Sequence, residues 1–323
     1  MIIARAPFRI SFVGGGSDLP SFYRRGYGAI VSATINKYMY IVVHPYFHER
    51  ILVKYSRTED VRATSEIRHP IVREVLEMLE VVSGIEITSI ADVPAGTGLG
   101  SSSAFTVALL HAIHAFKGEA VSRRILAEEA CRIEIDRLKE PIGKQDQYAS
   151  AYGGLNYIRF GSDESVSVES LACDQAYMKA LEERLLIYYL GTVRAASTIL
   201  ARQNEKMTMP ETYHLTEEMV RLAEECRVRI LKRSLSGLGE LLHEGWEVKK
   251  RLVDGITNGD IDSWYNLARE AGVSGGKLLG AGGGGFLLLY CEPSKQANVR
   301  RALSKLRETK VRFEFTGCTL HEL

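Results

Sequence analysis

The pattern of apolar and polar positions divides the chain into a strand-rich first part and a helix-rich second part. Residues 10–13 are apolar and run into Gly14-Gly15-Gly16, and residues 38–43 form an apolar, β-branched run; both read as strands. Residues 70–82 carry apolar side chains at helical spacing, 85–90 read as a strand, and the apolar run 105–116 reads as a helix. Residues 126–138 predict a second helix, stopped by Pro141 and Gly143. Gly153-Gly154 opens a strand pair through Phe160. The small, polar stretch 161–167 then predicts a domain boundary soon after it, near residue 175.

The second part opens on an apolar strand at 185–190. Helical patterns follow at 214–232, 238–255 and 261–271. Strand-like residues 286–291, a charged helix over 294–308 and a last strand at 311–316 close the chain. That β-α-α-β-α-β order fits an α+β sandwich. The expected organisation is therefore α+β in two domains, 1–175 and 176–323.

Composition narrows the function classes. A chain of 323 residues, 46% hydrophobic and 25% charged, suits one large or two ordinary globular domains with a good core. A formal net charge of +1 argues against a nucleic-acid binder driven by a global positive field. The five cysteines lie far apart without a CxxC, which indicates neither a zinc site nor a disulfide framework. No run reaches the roughly 18 apolar residues a membrane span needs. Residues 1–13 are interrupted by Arg5 and Arg9, so they read as a buried strand and not as a signal peptide. A reducing cytoplasm is the expected compartment.

The densest chemistry lies at Pro94-Ala95-Gly96-Thr97-Gly98-Leu99-Gly100-Ser101-Ser102-Ser103-Ala104. Three alternating glycines let the backbone turn sharply and approach a ligand closely. Three hydroxyls then fall where a helix begins, among unpaired amides that attract anions. This predicts a phosphate cradle built from backbone, with hydroxyls free for phosphate or a metal. It is not a Walker loop, since no Lys follows the glycines.

A second glycine loop, Gly280-Ala281-Gly282-Gly283-Gly284-Gly285, formally matches the dinucleotide fingerprint G-x-G-x-x-G. The fingerprint needs a helix after it, whereas residues 286–290 are strand-like. It reads either as a loop beside a nucleotide or sugar phosphate, with Gly282 and Gly283 toward substrate, or as a tight connection that uses glycine for backbone angles alone.

Three further groups are candidates. In Gly143-Lys144-Gln145-Asp146-Gln147, Asp146 could be a carboxylate kept ionised by Lys144 and serve phosphoryl transfer, or the segment could be a surface turn with a weak ion pair. Arg5 and Arg9, on one strand face, lead through Gly14-Gly15-Gly16-Ser17 to Asp18. That aspartate could hold sugar hydroxyls or merely cap a helix starting near Leu19. Glu134, 12 residues before Asp146, could reach a Mg2+ shared with a serine of the phosphate loop. The pairs His44/His48 and His111/His114 have no carboxylate partner nearby in sequence and carry little weight as metal ligands.

Taken in order, residues 5–18, 94–104 and 277–286 resemble the three motifs of the GHMP kinases, and the likeness spans nearly the whole chain. The resemblance implies an N-terminal ribosomal-protein-type domain and a C-terminal ferredoxin-like domain, with ATP between them. Residues 14–20, 141–148 and 276–285 resemble most the branch acting on D-glycero-D-manno-heptose 7-phosphate, which implies phosphorylation at the anomeric hydroxyl. Carried over by position, Asp146 would orient or deprotonate the acceptor, with Arg9 beside it and Lys144 nearby. Gly96, Gly98, Gly100, Ser101, Ser102 and Ser103 would hold ATP, and Ser102 and Glu134 would hold Mg2+. Gly16, Ser17, Asp18, Gly282 and Gly283 would face substrate.

Gly15 and Gly16 stand where galactokinases carry a Glu-His pair, which makes galactose an unfavourable substrate and leaves room for a larger sugar. Arg24, Arg25, Lys37 and Arg194 are candidate partners for a phosphate on that sugar. The expected partners are thus a small-molecule sugar phosphate and ATP, with no nucleic acid and no membrane; a homodimer stays open. Alternatives are a kinase for fucose, another heptose phosphate or an isoprenoid-pathway alcohol, and a non-catalytic sugar sensor.

Overall fold

The computed structural model describes residues 1–191 and 196–322. Its first sheet has eight strands: β1 (Ile2–Val13), β2 (Tyr27–Pro45), β3 (Ile51–Lys54), β4 (Thr58–Val61), β5 (Ile85–Ala91), β6 (Leu155–Gly161), β7 (Val166–Ser170) and β12 (Thr319–Glu322). The order along the sheet is β12-β1-β2-β5-β3-β4, with β6 also on β2 and β7 on β6. β2 does two jobs. Its first half pairs with β6 (Val31 opposite Tyr157) and its second half with β5 (Tyr40 opposite Ile90).

Helices α1 (Pro20–Tyr23), α2 (Pro70–Met78), α3 (Ser101–Phe116), α4 (Arg123–Cys131) and α5 (Gln145–Tyr152) belong to this half. α3 packs on β1 and β2 and is flanked by α2, α4 and α5. It is apolar nearly all round and buried from Ser103 to Ile113 apart from His111, as a helix enclosed by other elements must be. Its last turn is closed by His114, whose ring stands between Glu119 (2.7 Å) and Glu129 (2.8 Å).

The second sheet, ordered β11-β8-β10-β9, contains β8 (Leu185–Tyr189), β9 (Gly275–Leu278), β10 (Phe286–Tyr290) and β11 (Arg307–Glu308). Around it lie α6 (Gln175–Glu182), α7 (Ala196–Lys206), α8 (Pro210–Leu231), α9 (Leu238–Leu252), α10 (Gly259–Glu270) and α11 (Gln296–Ala302). β10 is buried on both faces. Phe286, Leu288 and Tyr290 enter the larger core, and Leu287 and Leu289 enter a second core around Trp246. α9 runs between the two, with Leu238, Leu241 and Leu242 in the first core and Trp246 and Leu252 in the second.

The main elements predicted from periodicity are present, with three differences. The strand predicted at 38–43 is only the second half of β2; the first half is rich in small residues such as Gly28, Ala29 and Ser32, which bury flat against neighbours without an obvious strand signal. The charged helix predicted to residue 308 stops at Ala302, because buried Leu303 turns the chain so that Arg307 can pair with Tyr189 at the sheet edge. The predicted last strand at 311–316 is a single bridge, Phe313 to Ile35, and the true last strand is β12 on β1. The chain end thus returns to the first sheet. Among the described residues no helix is long and apolar enough to cross a membrane.

The His114 pair gives a pH-dependent contribution of known sign. Its carboxylate partners, Glu129 foremost, raise its pKa above the ordinary histidine value, so the folded state holds that proton more tightly than the unfolded chain. The stabilisation is full below about pH 6.5 and is lost as pH rises through the folded-state value. His114→Gln should therefore lower the melting temperature more at pH 6 than at pH 9. An equal loss at both pH values would contradict the pairing.

Candidate active site

A cavity of about 310 Å³ opens where the two sheets approach each other. One wall is the 94–104 segment. Gly100, in the left-handed conformation (φ +76°), is the N-cap of α3, so the first free amides of that helix and the hydroxyls of Ser101, Ser102 and Ser103 border the cavity. The opposite wall is the 280–285 loop. A Cβ on Gly98 would lie 2.4 Å from the Leu279 carbonyl oxygen, and one on Gly280 would lie 2.5 Å from the Gly98 Cα. The two glycine loops therefore pack backbone against backbone, and side chains there would hold them apart.

Arg9 and Asp146 form the centre of the site. The Arg9 guanidinium donates from Nε and Nη2 to the two Asp146 carboxylate oxygens, each at 2.7 Å, and from Nη1 to the Gly98 carbonyl. This planar fork joins β1, the phosphate loop and α5. Arg9 is 3% exposed and Asp146 22%, so the carboxylate keeps an open side toward the cavity. Asp18 accepts from the Gly16 amide (3.0 Å) through one oxygen and from the Gln145 amide (3.2 Å) through the other. Burial, then the nearby Asp146 charge, raises its pKa. The α1 cap is Leu19 and has no side-chain bond, so Asp18 serves the cavity wall and α5, not α1.

Glu134 lies on a π-helical turn, Arg132–Arg137, that continues α4. It is 1% exposed, accepts from the Ser102 hydroxyl (2.8 Å) and the Gln147 amide (2.7 Å), and forms no ion pair among the described residues. Burial pushes its carboxyl up to about 7. A hard-oxygen pair at a helix N-terminus, with the carboxylate uncompensated, fits a Mg2+ that takes its other ligands from phosphate and water. No cluster of three or more His, Cys, Asp or Glu side chains is set for a metal among the described residues, so a cation here would rely on such shared ligation.

Most predicted residues converge on the cavity, and some do not. Arg9, Gly16, Asp18, Gly96, Gly98, Gly100, the three serines, Glu134, Asp146 and Gly282 line it. Lys144 does not neutralise Asp146: its ammonium pairs with Glu164 (2.5 Å) beside Tyr23, and Arg9 takes the predicted role. Ser17 is buried under the turn, where its hydroxyl donates to the Gly14 carbonyl (2.7 Å) and accepts from the Ala29 amide (3.0 Å). Gly283 faces away and donates to the Ile256 carbonyl. Arg5 rests on Tyr38 and near Glu314, beyond a register break at Pro7/Phe8. Arg24 pairs with exposed Glu164, Arg25 covers Tyr213, and Lys37 is absent from the cavity lining. Arg194 lies outside the described residues.

Two cations escaped the sequence reading: Lys249 on α9 and Lys277 on β9 both line the cavity and are nearly fully buried. A signal for the first was available. Leu238, Leu241, Leu242, Trp246, Lys249 and Leu252 form one helical stripe, and a lysine on an apolar stripe needs a reason.

Comparison with known proteins agrees with this geometry. The family of GHMP kinases N terminal domains matches residues 67–154 and that of GHMP kinases C terminal domains matches residues 219–308. The chain is 25% identical to D-glycero-alpha-D-manno-heptose 7-phosphate kinase of Campylobacter jejuni, over 98% of this chain and 96% of that one. It is 30% identical to L-fucokinase/L-fucose-1-P guanylyltransferase of Bacteroides fragilis, over 69% of this chain but 24% of that larger protein. Among solved structures, a D-glycero-D-manno-heptose 1-phosphate kinase from Bacteroides thetaiotaomicron superposes with a TM-score of 0.82 at 25% identity, covering 100% of this chain and 99% of that one.

The buried Glu134 carboxyl makes a testable trade. Its raised pKa means the folded state binds its proton more tightly than the unfolded chain, so stability falls as pH rises from about 4.5 through about 7. Above that the cost is on the order of 3 kcal/mol. Glu134→Gln should melt at higher temperature than the parent at pH 8 without metal. It should also lose the extra stabilisation that Mg2+ with an ATP analogue gives the parent. A lower melting temperature for metal-free Glu134→Gln at pH 8 would contradict this account.

Proposed function

Because the chain belongs to the GHMP kinases and is thus a phosphotransferase with an alcohol acceptor, we propose that it transfers the γ-phosphoryl group of ATP to the anomeric hydroxyl of D-glycero-D-manno-heptose 7-phosphate, giving the 1,7-bisphosphate. The observation that carries the reading is the Arg9–Asp146 fork, set beside the free N-terminus of α3 with one face of the carboxylate open to the cavity. The full-length likeness to the Campylobacter heptose 7-phosphate kinase supports the choice of sugar.

In this reading the amides at the start of α3 and the Ser101–Ser103 hydroxyls cradle the ATP phosphates. Glu134 and Ser102 would hold Mg2+, which would supply charge neutralisation for the ATP phosphates. Asp146 accepts the hydrogen bond and then the proton of the acceptor hydroxyl, whose oxygen forms the new bond to phosphorus as the bond to ADP breaks. Arg9 holds that carboxylate in one orientation. Transfer is direct, without a covalent enzyme intermediate. Asp18 and the Gly16 turn form the acceptor side, with no side chain at 15 or 16 to limit the size of the sugar.

Incubation with Mg-ATP and D-glycero-D-manno-heptose 7-phosphate should release ADP and give a new anomeric phosphate signal by phosphorus NMR. Turnover with fucose but not with the heptose would favour the second reading, a fucokinase, for which the likeness to the Bacteroides fragilis protein speaks. Asp146→Asn should lower turnover by about 10²–10⁴-fold while nucleotide affinity changes only a few fold. Near-normal turnover in that variant would remove the role given to Asp146.

A further inference from the structure

Lys249 and Lys277 are 5% and 3% exposed, yet both border the cavity. The Lys249 ammonium donates to the Gly280 carbonyl, and the Lys277 ammonium has no hydrogen bond or ion pair among the described residues. Two buried ammonium groups that line one cavity with Arg9 form an arrangement that proteins avoid unless an anion joins them. Lys249, Lys277, Asp18 and the Gly16 turn line one cavity, and the Gln203 amide lies against that turn, 2.3 Å from where a Gly16 Cβ would stand. In the reading above, Asp18 and the Gly16 turn form the acceptor side of that cavity.

Two further donors on that side are unmet. The Gln203 amide nitrogen, 2% exposed, and the Ser11 hydroxyl, 4% exposed, are buried without partners among the described residues, and both residues line the cavity. We infer that Lys249 and Lys277, with Gln203 and Ser11 beside them, form an anion subsite that holds a phosphate carried by the acceptor itself. The inference rests on the sugar-kinase reading above and makes these lysines the determinants that select a phosphorylated sugar over a neutral one.

Desolvation, and then the neighbouring positive charges, depress both lysines, Lys249 to about 8. A bound dianion reverses this, so binding at or above that pH draws protons onto the site.

The parent protein and the variants Lys277→Gln, Lys249→Gln and Lys277→Arg are compared on the heptose 7-phosphate and on the same sugar without its phosphate. The parent should prefer the phosphorylated sugar in kcat/KM. Each Lys→Gln change should reduce that preference by about 10–100-fold, and Lys277→Arg should retain more of it. Affinity for a non-hydrolysable ATP analogue should move by less than about threefold. Lost nucleotide affinity with an intact preference would assign the lysines to the ATP phosphates and overturn the inference.

A parent enzyme indifferent to the sugar phosphate would also overturn it, while leaving the kinase reading standing. If the parent phosphorylates neither sugar, the heptose reading fails separately and inorganic phosphate decides the subsite. Calorimetric titration near pH 8 in two buffers of different ionisation enthalpy should show phosphate binding with proton uptake in the parent and none in Lys277→Gln. No phosphate binding to the parent would refute the subsite.

Discussion

The site depends on one buried ion pair. Arg9 sits on the longest-paired stretch of the first sheet with almost no contact with water, and a guanidinium there is tolerable only if its donors are met. Asp146 meets two of them in a fork and the Gly98 carbonyl meets a third. A strand, the first turn of α5 and the phosphate loop are thus fixed relative to each other by one planar group. The same contact decides the chemistry, since it leaves a carboxylate in a defined orientation with an open side at the place where a helix presents its free amides. Positioning of this kind, and not covalent chemistry, is what phosphoryl transfer requires of a protein.

The glycines serve that arrangement. Gly98 and Gly280 touch at the backbone, and Gly143 lies so close to Asp18 that a Cβ would fall 2.0 Å from its carboxylate oxygen. Each contact brings main chain, rather than a flexible side chain, to the wall of the cavity. The wall is therefore rigid and offers amides and carbonyls at set positions. Charge is left to a few side chains: buried Arg9, Asp18, Glu134, Lys249 and Lys277, half-buried Asp146 and exposed Glu140. Three of these, Glu134, Lys249 and Lys277, are held in a state that an unliganded interior disfavours, and each would be relieved by an ion of opposite sign.

Much of this was legible in the sequence, and the parts that were not have physical reasons. The phosphate loop could be read because alternating glycines before three serines and an apolar helix have few other uses. Asp146 could be read as a carboxylate in need of a cation, but proximity along the chain pointed to Lys144, while the partner is Arg9, 137 positions away. Lys144 is drawn instead to Glu164 across a surface turn. Lys249 was hidden as one basic residue among Lys249, Lys250 and Arg251 at a helix end, where cations are ordinary. Lys277 opens the third motif, but nothing in its local pattern shows that its charge is buried. The early part of β2 and the return of the C-terminus to β1 depend on sheet register, which hydrophobic periodicity does not encode when both faces are buried.

The most direct measurement is a crystal structure of the protein with a non-hydrolysable ATP analogue, Mg2+ and D-glycero-D-manno-heptose 7-phosphate. The account predicts the terminal phosphate of the nucleotide at the N-terminus of α3 and the anomeric oxygen of the sugar within hydrogen-bond reach of Asp146. That oxygen should lie about 3–3.5 Å from the γ-phosphorus and in line with its leaving oxygen. A sugar bound with its anomeric oxygen turned away from Asp146, or a nucleotide bound elsewhere than the loop of Gly96, Gly98 and Gly100, would contradict it.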